Sequence, residues 1–259
     1  MGFFQTSGIL NRRGFFGGVA AAPSFVPTDL TGLIMWLDAN DTSTLFDATS
    51  GGSTVTANDT AVARWEDKST SAKHFKQTTL NNRPKLFTSS QNGKNVIRFD
   101  GTNDSMNIDS AFSGQTEATY FVALKVKNDP PLTTNTSGHP IGFLTGNVAN
   151  AGHYPFTDGN IYDNTLTTSR KSAGNPTPSL ANFHIYNVEA SNSVWTARVN
   201  KSQLFTTGTN TIGVGQTALG ISILFYFDGD IGEFIAYSSI LSSTDRGKVE
   251  DYLYAKWGI

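Results

Sequence analysis

Three acidic residues near the end of the chain have a spacing that could support acid–base chemistry. Asp228, Asp230 and Glu233 form the pattern D-x-D-x-x-E. Two carboxyl groups about 5 Å apart across a glycosidic bond are the machinery of retaining glycoside hydrolysis. In a regular strand, Asp228 and Asp230 would share one face and Glu233 would point to the other, because side chains alternate. We therefore predict that none of the three is catalytic.

Other residue types that could carry a reaction lack the partners they would need. Glu66 and Asp67 are adjacent, and neighbours in a strand face opposite ways, which favours a turn or an ion pair. The chain has no cysteine and no G-x-S-x-G motif. The histidines are His74, His139, His153 and His184. None of them belongs to a recognisable nucleophile or metal motif, so the sequence predicts no enzymatic activity.

Two clusters of acidic and amide side chains offer the oxygen ligands that calcium prefers. They are Asp38, Asn40, Asp41 and Asp47 in one stretch and Asp100, Asn103 and Asp104 in another. Neither has the spacing of a calcium loop that ends in a bidentate glutamate. Asx-rich turns have the same composition without a metal. We predict no cofactor, with calcium at one of these loops as the open alternative.

The stretch 152–164 combines aromatic, amide and carboxylate side chains, as sugar-binding surfaces do. An exposed ring offers an apolar face to a sugar, and amide and carboxylate groups bond its hydroxyls. The candidate glycan-binding residues are Tyr154, Asp158, Asn160, Tyr162 and, on a predicted hairpin, Trp195. The alternative is that these aromatic residues pack inside the fold or against another subunit.

The elements that must position these residues are strands. Short runs of β-forming residues bounded by turn-forming residues predict strands at 33–37, 96–99, 119–126, 183–188, 221–227 and 231–237. A hairpin is predicted at 194–205 with Asn200-Lys201 in its turn, and 228–230 is predicted as a turn. Ser242 is the predicted cap of one helix whose stripe is Val249, Leu253 and Trp257. This pattern predicts an all-β sandwich with one C-terminal helix.

The composition fits such a sandwich and argues against two classes of partner. Of 259 residues, 38% are hydrophobic and 15% charged, and 18 Phe supply large side chains for a core. A net charge of −2 does not provide the concentrated basic surface that nucleic acid requires. No stretch approaches the ~20 apolar residues that cross a membrane. Neither nucleic acid nor a membrane span is predicted.

Five stretches resemble, in order, the concanavalin A-like lectin/glucanase jelly roll in its LamG-like or pentraxin-like form. They are GLIMWLDANDTSTLF (32–46), VARWEDKST (62–70), NRPKLF (82–87), NVIRFDGTNDSMNI (95–108) and GDIGEFIAYSSILSSTDRGKVEDYLYAKWGI (229–259). The resemblance implies one concanavalin A-like jelly-roll domain over residues 29–259, with GDIGE as a non-catalytic closing strand. The family includes lectins, adhesion modules, hydrolase appendages and virus-particle proteins, so it implies the fold more strongly than the function.

Residues 1–28 form a predicted extended arm ahead of this domain. Gly-Phe-Phe occurs twice, at 2–4 and 14–16, with Arg12-Arg13 between the copies and no acid before Asp29. A jelly roll with such an arm resembles structural proteins of tailed bacteriophages. The resemblance implies a head decoration, head fibre or tail appendage on the virion surface, a symmetric homo-oligomer and exposure to host surface carbohydrate. The predicted anchors to other virion proteins are Phe3, Phe4, Arg12, Arg13, Phe15 and Phe16.

The alternative for the same arm is an export signal. Asn11-Arg12-Arg13-Gly14-Phe15-Phe16 resembles a twin-arginine leader, and 20–22 offers an A-x-A cleavage site. The apolar stretch is only about ten residues and is broken at 17–18, and cleavage would leave Pro23 first. The alternative product is an extracellular or periplasmic carbohydrate-binding module. The sequence favours the anchoring arm.

Overall fold

A computed structural model of the chain describes residues 1–2, 25–108, 112–129, 137–143 and 150–259. Its strands, in chain order, are β1 (Leu33–Asp38), β2 (Leu45–Phe46), β3 (Thr60–Ala61), β4 (Arg64–Trp65), β5 (Phe75–Lys76), β6 (Lys85–Gln91), β7 (Lys94–Asp100), β8 (Met106–Ile108), β9 (Glu117–Val126), β10 (Ile141–Phe143), β11 (Ile161–Asp163), β12 (Lys171–Gly174), β13 (His184–Ser191), β14 (Trp195–Val199), β15 (Ser202–Thr207), β16 (Thr217–Leu219), β17 (Ile221–Ser222), β18 (Phe225–Tyr226) and β19 (Asp228–Tyr237). Short 3-10 turns lie at Pro27–Asp29, Thr42–Thr44 and Leu80–Asn82, and the helix α1 spans Ser243–Trp257.

The strands form two antiparallel sheets. The main sheet has the order β15-β14-β13-β9-β19-β7-β6-β3, and β1 also pairs with β19. The smaller sheet has the order β10-β16-β8-β5-β4-β2. Two separate hairpins, β11-β12 and β17-β18, complete the described strands. The predicted all-β sandwich with one C-terminal helix is thus confirmed, and the sheets bury alternate side chains of their strands against each other.

Apolar side chains cover both faces of the main sheet. The inner face and the smaller sheet enclose the larger core, in which Trp65, Phe99, Tyr120 and Phe234 are fully buried. The outer face carries a second cluster, centred on Trp257, that lies under the helix. A strand that is buried on both faces reads as a near-continuous apolar run, which is the pattern of β9, whereas β13 also buries His184, Asn187 and Glu189.

Local sequence signals explain the hairpin and the helix. Asn200 and Lys201 have φ values of 49° and 66°, which a tight turn between β14 and β15 requires. The helix begins after Ser242, whose hydroxyl accepts the amide of Asp245 at 3.1 Å. It ends at Gly258, which has the left-handed conformation typical of that position. Both predictions are confirmed.

Two predictions between residues 221 and 230 are wrong. The run 221–227 forms two short strands, β17 and β18, because Ile223 adopts a φ of 59° and turns the chain back. The predicted turn at 228–230 lies inside β19 instead. There Asp228 pairs with Asp100 across β7, and Asp230 pairs with Arg98. The ion pair between Asp230 and Arg98 favours the extended conformation over a turn, whereas Asp228 faces a like charge and forms its ion pair with Lys127 at 3.3 Å.

Candidate functional site

Three of the predicted glycan-binding residues meet at the surface. The carboxylate of Asp158 accepts the backbone amide of Asn160 at 2.9 Å and its side-chain amide at 2.8 Å. The hydroxyl of Tyr162 donates to the same carboxylate at 2.9 Å. Asp158 is exposed, and Asn160 and Tyr162 are half-buried. The loop before β11 therefore presents one carboxylate, one amide and one phenol together.

Two further side chains, Phe156 and Arg170, extend this surface. The Phe156 ring meets Tyr162 edge-on at 5.6 Å, and the Arg170 guanidinium lies 4.8 Å from the centre of the Tyr162 ring. We call these five residues the tyrosine patch. Phe156 lies in the stretch that composition identifies, whereas no local signal points to Arg170, which a return strand brings in. Cation–π contact fixes the ring and adds donors beside it.

The charge of Asp158 is maintained by its neighbours. Partial burial alone would raise its pKa, but hydrogen bonds from Asn160 and Tyr162 outweigh that effect and lower the pKa below 3.8. The carboxylate is therefore ionised at neutral pH and keeps acceptor capacity after its three bonds. The patch combines such acceptors with guanidinium donors and two aromatic rings, the groups that sugar hydroxyls and sugar faces bind.

Tyr154 does not belong to this surface, which corrects its prediction as a glycan-binding residue. Its ring is fully buried and stacks on His184 at 5.8 Å. The imidazole Nδ1 lies 2.8 Å from the Asn182 carbonyl, and Nε2 lies 2.8 Å from the Tyr154 hydroxyl. Burial lowers the pKa of His184 to about 4, so the ring is neutral and accepts the phenol proton at Nε2. Tyr154 is a core residue, as the alternative interpretation held.

Trp195 is likewise buried, and its prediction as a sugar platform is wrong. No part of it is exposed, and its indole Nε1 donates to the Thr165 carbonyl at 3.1 Å. Trp195 is the first residue of β14, and its side chain lies in the inner core of the sandwich. A buried indole needs one acceptor, and the loop after β11 supplies it.

A buried polar cluster lies directly behind the tyrosine patch. Asp163 follows Tyr162 by one residue, is fully buried and accepts Tyr120 Oη at 2.9 Å and Tyr186 Oη at 2.8 Å. Its other oxygen accepts the amide and the hydroxyl of Thr165, each at 2.6 Å. Since alternate residues of β11 face opposite ways, Asp163 fastens the strand inward while Tyr162 faces outward.

The D-x-D-x-x-E residues share one face, contrary to the alternation expected of a strand. Ile231 pairs with Leu124, and Glu233 pairs with Ala123, so Gly232 is an extra residue that forms a bulge. The bulge turns Glu233 to the outer face of the main sheet, on the side of the helix. There the fully buried carboxylate accepts Trp36 Nε1 at 2.7 Å and pairs with Lys256 at 2.8 Å.

Glu233 and Asp230 are both engaged in structural contacts. Tyr252 and Trp257 donate to Glu233 at 2.8 and 3.0 Å, in addition to the bonds given above. Asp230 receives two parallel bonds from Arg98, at 2.6 and 2.9 Å. Bidentate pairing of this kind is strong and directional. These contacts account for the buried carboxylates without a substrate.

A pocket of about 430 Å³ opens where Arg98 and Asp230 meet the end of β9. It is lined by three bases and three acids, namely Arg98, Lys125, Lys127, Asp100, Asp228 and Asp230. Desolvation is the largest cause that raises the pKa of Asp228. Lys127 lies 3.3 Å from Asp228 and opposes that shift. The bases face acids of the same pocket, so the lining carries no excess charge.

The acidic residues of the two candidate calcium loops form ion pairs or accept hydrogen bonds, whereas the buried Oδ1 of Asn103 has no hydrogen-bond partner among the described residues. Asp38 forms ion pairs with Lys68 and Lys256, at 3.5 and 2.8 Å. Asp100 Oδ1 accepts the amides of three following residues, of which the nearest is Thr102 at 2.8 Å. Within the described ranges, no three His, Cys, Asp or Glu side chains are grouped so that they could hold a metal ion. The acidic residues act as turn formers and ion-pair partners.

The predicted anchors Phe3, Phe4, Arg12, Arg13, Phe15 and Phe16 lie outside the described residues. The chain just after them is fastened to the sandwich. The Tyr237 hydroxyl donates to the Pro27 carbonyl at 3.0 Å, and Phe25 packs on Tyr252 at 6.1 Å between ring centres. No helix in the part of the chain that the structure describes is both long and apolar enough to span a membrane.

Solved structures of similar fold include carbohydrate-active enzymes. A Trypanosoma rangeli sialidase aligns with 88% of this chain at 13% identity and a TM-score of 0.52. A GH54 α-L-arabinofuranosidase aligns with 87% of the chain at 14% identity and a TM-score of 0.58. The chain spans about a third of the sialidase and 63% of the arabinofuranosidase. No family model and no curated protein matches the chain.

These likenesses show a β-sandwich of the kind found in glycosidases, with which a concanavalin A-like jelly roll is consistent. They also correct the basis on which the chain is predicted not to be an enzyme, because sandwiches of this kind occur in carbohydrate-active enzymes such as a sialidase and an arabinofuranosidase. At 10–14% identity the likeness extends to the fold and not to individual residues. Function must be argued from this chain's own surface.

Proposed function

We propose that this chain binds glycans through the tyrosine patch of a concanavalin A-like sandwich. The observation that carries the proposal is the exposed carboxylate of Asp158, bonded to Asn160 and Tyr162 and flanked by aromatic rings. Hydroxyl groups of a sugar can donate to the carboxylate and accept from Arg170. The apolar side of a sugar ring can pack on Tyr162 and Phe156. Behind the patch, Asp163 ties the end of β11 to the core through its bonds with Tyr120, Tyr186 and Thr165.

Glycan-array binding followed by calorimetry tests this proposal. Tyr162→Ala removes the ring, and Tyr162→Phe keeps the ring but removes its bond to Asp158. We expect a loss of affinity of tenfold or more for Tyr162→Ala and a smaller loss for Tyr162→Phe. Tyr254→Ala is the matched control, because this half-buried tyrosine lies on the helix. Equal binding by Tyr162→Ala and Tyr254→Ala, or silence of the wild type across host polysaccharides, would contradict the proposal.

We further propose that the sandwich is displayed on a phage particle and that residues 1–28 attach it to other virion proteins. The support is the repeated Gly-Phe-Phe and the arginine pair of an arm with a net charge of +2, against −4 for the remainder. Phenylalanine pairs would enter a partner groove, and the arginines would bond its acids or carbonyls. Particle symmetry implies a homo-oligomer. The domain boundary at residue 29 is part of this proposal.

Deletion of residues 2–18 tests the anchoring role on purified particles. Loss of the protein from the particle, with the sandwich still folded, is the expected result. Unchanged occupancy would refute it. A secreted form trimmed behind Ala22 would instead support the exported carbohydrate-binding module.

A further inference from the structure

The hairpin β17–β18 carries an exposed leucine beside two aromatic residues. Leu224, in the turn between the two strands, is 67% exposed. Phe225 and Tyr226 follow it and are half-buried. A single exposed apolar side chain is ordinary on a protein surface, whereas one that continues into a row of aromatic rings marks a candidate contact surface. The hairpin must therefore be considered together with the rings beside it.

A row of rings joins this hairpin to the tyrosine patch. The His153 ring lies 4.5 Å from the Phe225 ring and 4.8 Å from the Phe156 ring, centre to centre. Phe156 is a member of the tyrosine patch. His153 also pairs with Tyr162 in a β-bridge, and paired residues project from the same side. The aromatic surface therefore continues from the tyrosine patch across His153 to the hairpin.

Backbone contacts hold the hairpin beside the patch. The Gly138 amide donates to the Tyr226 carbonyl at 2.8 Å, and the Gly152 amide donates to the Ser222 hydroxyl at 2.8 Å. Each strand of the hairpin is thus bonded to a segment that flanks His153. Gly138 forms a β-bridge with His153, and a side chain in place of this glycine would collide with the backbone of the hairpin. Glycine therefore permits the close approach of the hairpin to the imidazole.

His153 provides a polar group beneath this apolar surface. Its side chain is buried, and its Nδ1 has no hydrogen-bond partner among the described residues. Burial lowers the pKa of His153 to about 4, so the ring is neutral at neutral pH and Nδ1 can either donate or accept one bond. A buried polar atom without a partner costs free energy, which a ligand group that reaches it would recover. A ligand would reach Nδ1 by displacing the Phe225 ring, which packs on the imidazole and is only half-buried.

An acetamido group matches an apolar rim beside a neutral imidazole. It combines a methyl group with an amide donor and a carbonyl acceptor, so it can pack on the rim and bond the ring nitrogen in either tautomer. A hydroxyl group lacks the methyl, and an O-acetyl group lacks the donor and serves only one tautomer. The hydroxyl-binding groups of the tyrosine patch lie at the other end of the same row of rings.

We propose that the tyrosine patch and the hairpin β17–β18 together bind an N-acetylated sugar. The methyl of its acetamido group packs on Leu224 and Phe225, and the amide bonds Nδ1 of His153. Hydroxyl groups of the same sugar bond Asp158 and Arg170. The inference rests on the proposed function, because it names the class of ligand that the same surface binds.

Calorimetry with matched pairs of neutral glycans tests this assignment. Chitotetraose and cellotetraose differ only by an acetamido group or a hydroxyl at one carbon of each sugar, and methyl glycosides of N-acetylgalactosamine and galactose form a second pair. We expect the acetamido member of at least one pair to bind the wild type about tenfold more tightly than its counterpart.

Three variants locate the source of this preference. Leu224→Ala should weaken the acetamido member about fivefold and leave its hydroxyl counterpart unchanged. Leu80→Ala is the matched control, because this leucine is 64% exposed on a 3-10 turn outside the patch. His153→Phe, which keeps a ring and removes Nδ1, should also weaken the acetamido member alone. Thermal melts show whether each variant is folded.

The outcomes separate this inference from the proposed function. Tyr162→Ala should weaken both members of a pair alike, because it removes a ring that packs on the sugar itself. If it does so while the wild type binds both members equally, the tyrosine patch stands and the acetamido assignment is overturned. An acetamido preference that Leu224→Ala abolishes and Tyr162→Ala leaves intact, with no loss of affinity, would refute the tyrosine patch alone.

Two further results would overturn the assignment. The first is an absence of binding to both members of both pairs, whatever the glycan array shows. The second is a preference that persists in Leu224→Ala and His153→Phe, or equal losses in Leu224→Ala and Leu80→Ala, since the hairpin would then not be its source.

Discussion

Asp163→Ala tests whether the buried cluster holds the tyrosine patch. The substitution leaves four buried donors without their acceptor: the hydroxyls of Tyr120 and Tyr186, and the amide and hydroxyl of Thr165. A buried donor without an acceptor costs about 1–3 kcal/mol, but Tyr120 also contacts the Thr165 hydroxyl at 2.7 Å. We therefore expect the free energy of unfolding to fall by about 4 kcal/mol. That is a large part of the ~5–15 kcal/mol typical of a domain.

Chemical denaturation followed by tryptophan fluorescence measures this loss. Tyr186→Phe removes one donor and leaves Asp163 its other partners, so it should cost about 1–2 kcal/mol. In the double variant Asp163→Ala/Tyr186→Phe the two losses should not add, because the phenol has no acceptor once Asp163 is gone. Additive losses, or a loss below about 1 kcal/mol for Asp163→Ala, would refute the reasoning.

The same carboxylate predicts how stability depends on pH. Burial alone would raise the pKa of Asp163, but the nearby His139 and the hydrogen bonds of Thr165 outweigh it, so the folded pKa lies below 3.8. Because the pKa of Asp163 is lower in the folded state than in the unfolded state, its ionised carboxylate stabilises the fold above about pH 3.8. This stability is lost as the pH falls through the folded pKa. Asp163→Asn should flatten the acid limb of the stability curve. An unchanged limb would contradict the assignment.

Two further substitutions test features of the main sheet. Gly232→Ala would bring a methyl group to 2.6 Å from Trp257 and should lower the free energy of unfolding by about 1–3 kcal/mol. The control is Gly247→Ala in the helix, where the new methyl group meets nothing within 4 Å. Because alanine favours a helix more than glycine does, it should raise the free energy of unfolding by up to ~1 kcal/mol in the same melt. Equal effects would contradict the close approach of Gly232 to Trp257. Burial, and then the charge of Asp100, raise the pKa of Asp104 to about 7, so its NMR titration should centre there. The folded protein therefore favours the protonated carboxyl group, and the stability that this provides should be lost as the pH rises through about 7. Asp100→Asn should move the midpoint down, and an unmoved midpoint would exclude the coupling.

The sequence predicts elements whose signals are local. The hairpin at Asn200-Lys201 depends on two residues that tolerate positive φ, and the helix depends on a cap and a periodic stripe. The position of Glu233 on the outer face of the main sheet is not predictable in this way. One extra residue, Gly232, reverses the alternation that assigns faces, and only pairing with β9 reveals it. Face assignments fail at bulges because they count residues from a fixed register.

Composition located the tyrosine patch but could not separate its members from the core. Tyr154 and Tyr162 belong to the same aromatic stretch, yet one is fully buried and the other borders solvent. The difference comes from partners distant in sequence: His184 accepts the hydroxyl of Tyr154, and Asp163 turns the chain so that Tyr162 faces out. Arg170 reaches the patch only because β12 folds back on β11. These contacts join residues that are distant in sequence, so they are known only once the tertiary fold is known.

The position of β19 has a consequence for how the chain is made. This strand lies between β9 on one side and β7 with β1 on the other, yet it follows every other described strand of the main sheet in the chain. Until it emerges, β9 and β7 each present an unpaired edge, and such edges invite pairing with other chains. The nascent protein therefore completes its main sheet only after β19 has been synthesised, and a chain terminated before residue 228 is expected to aggregate.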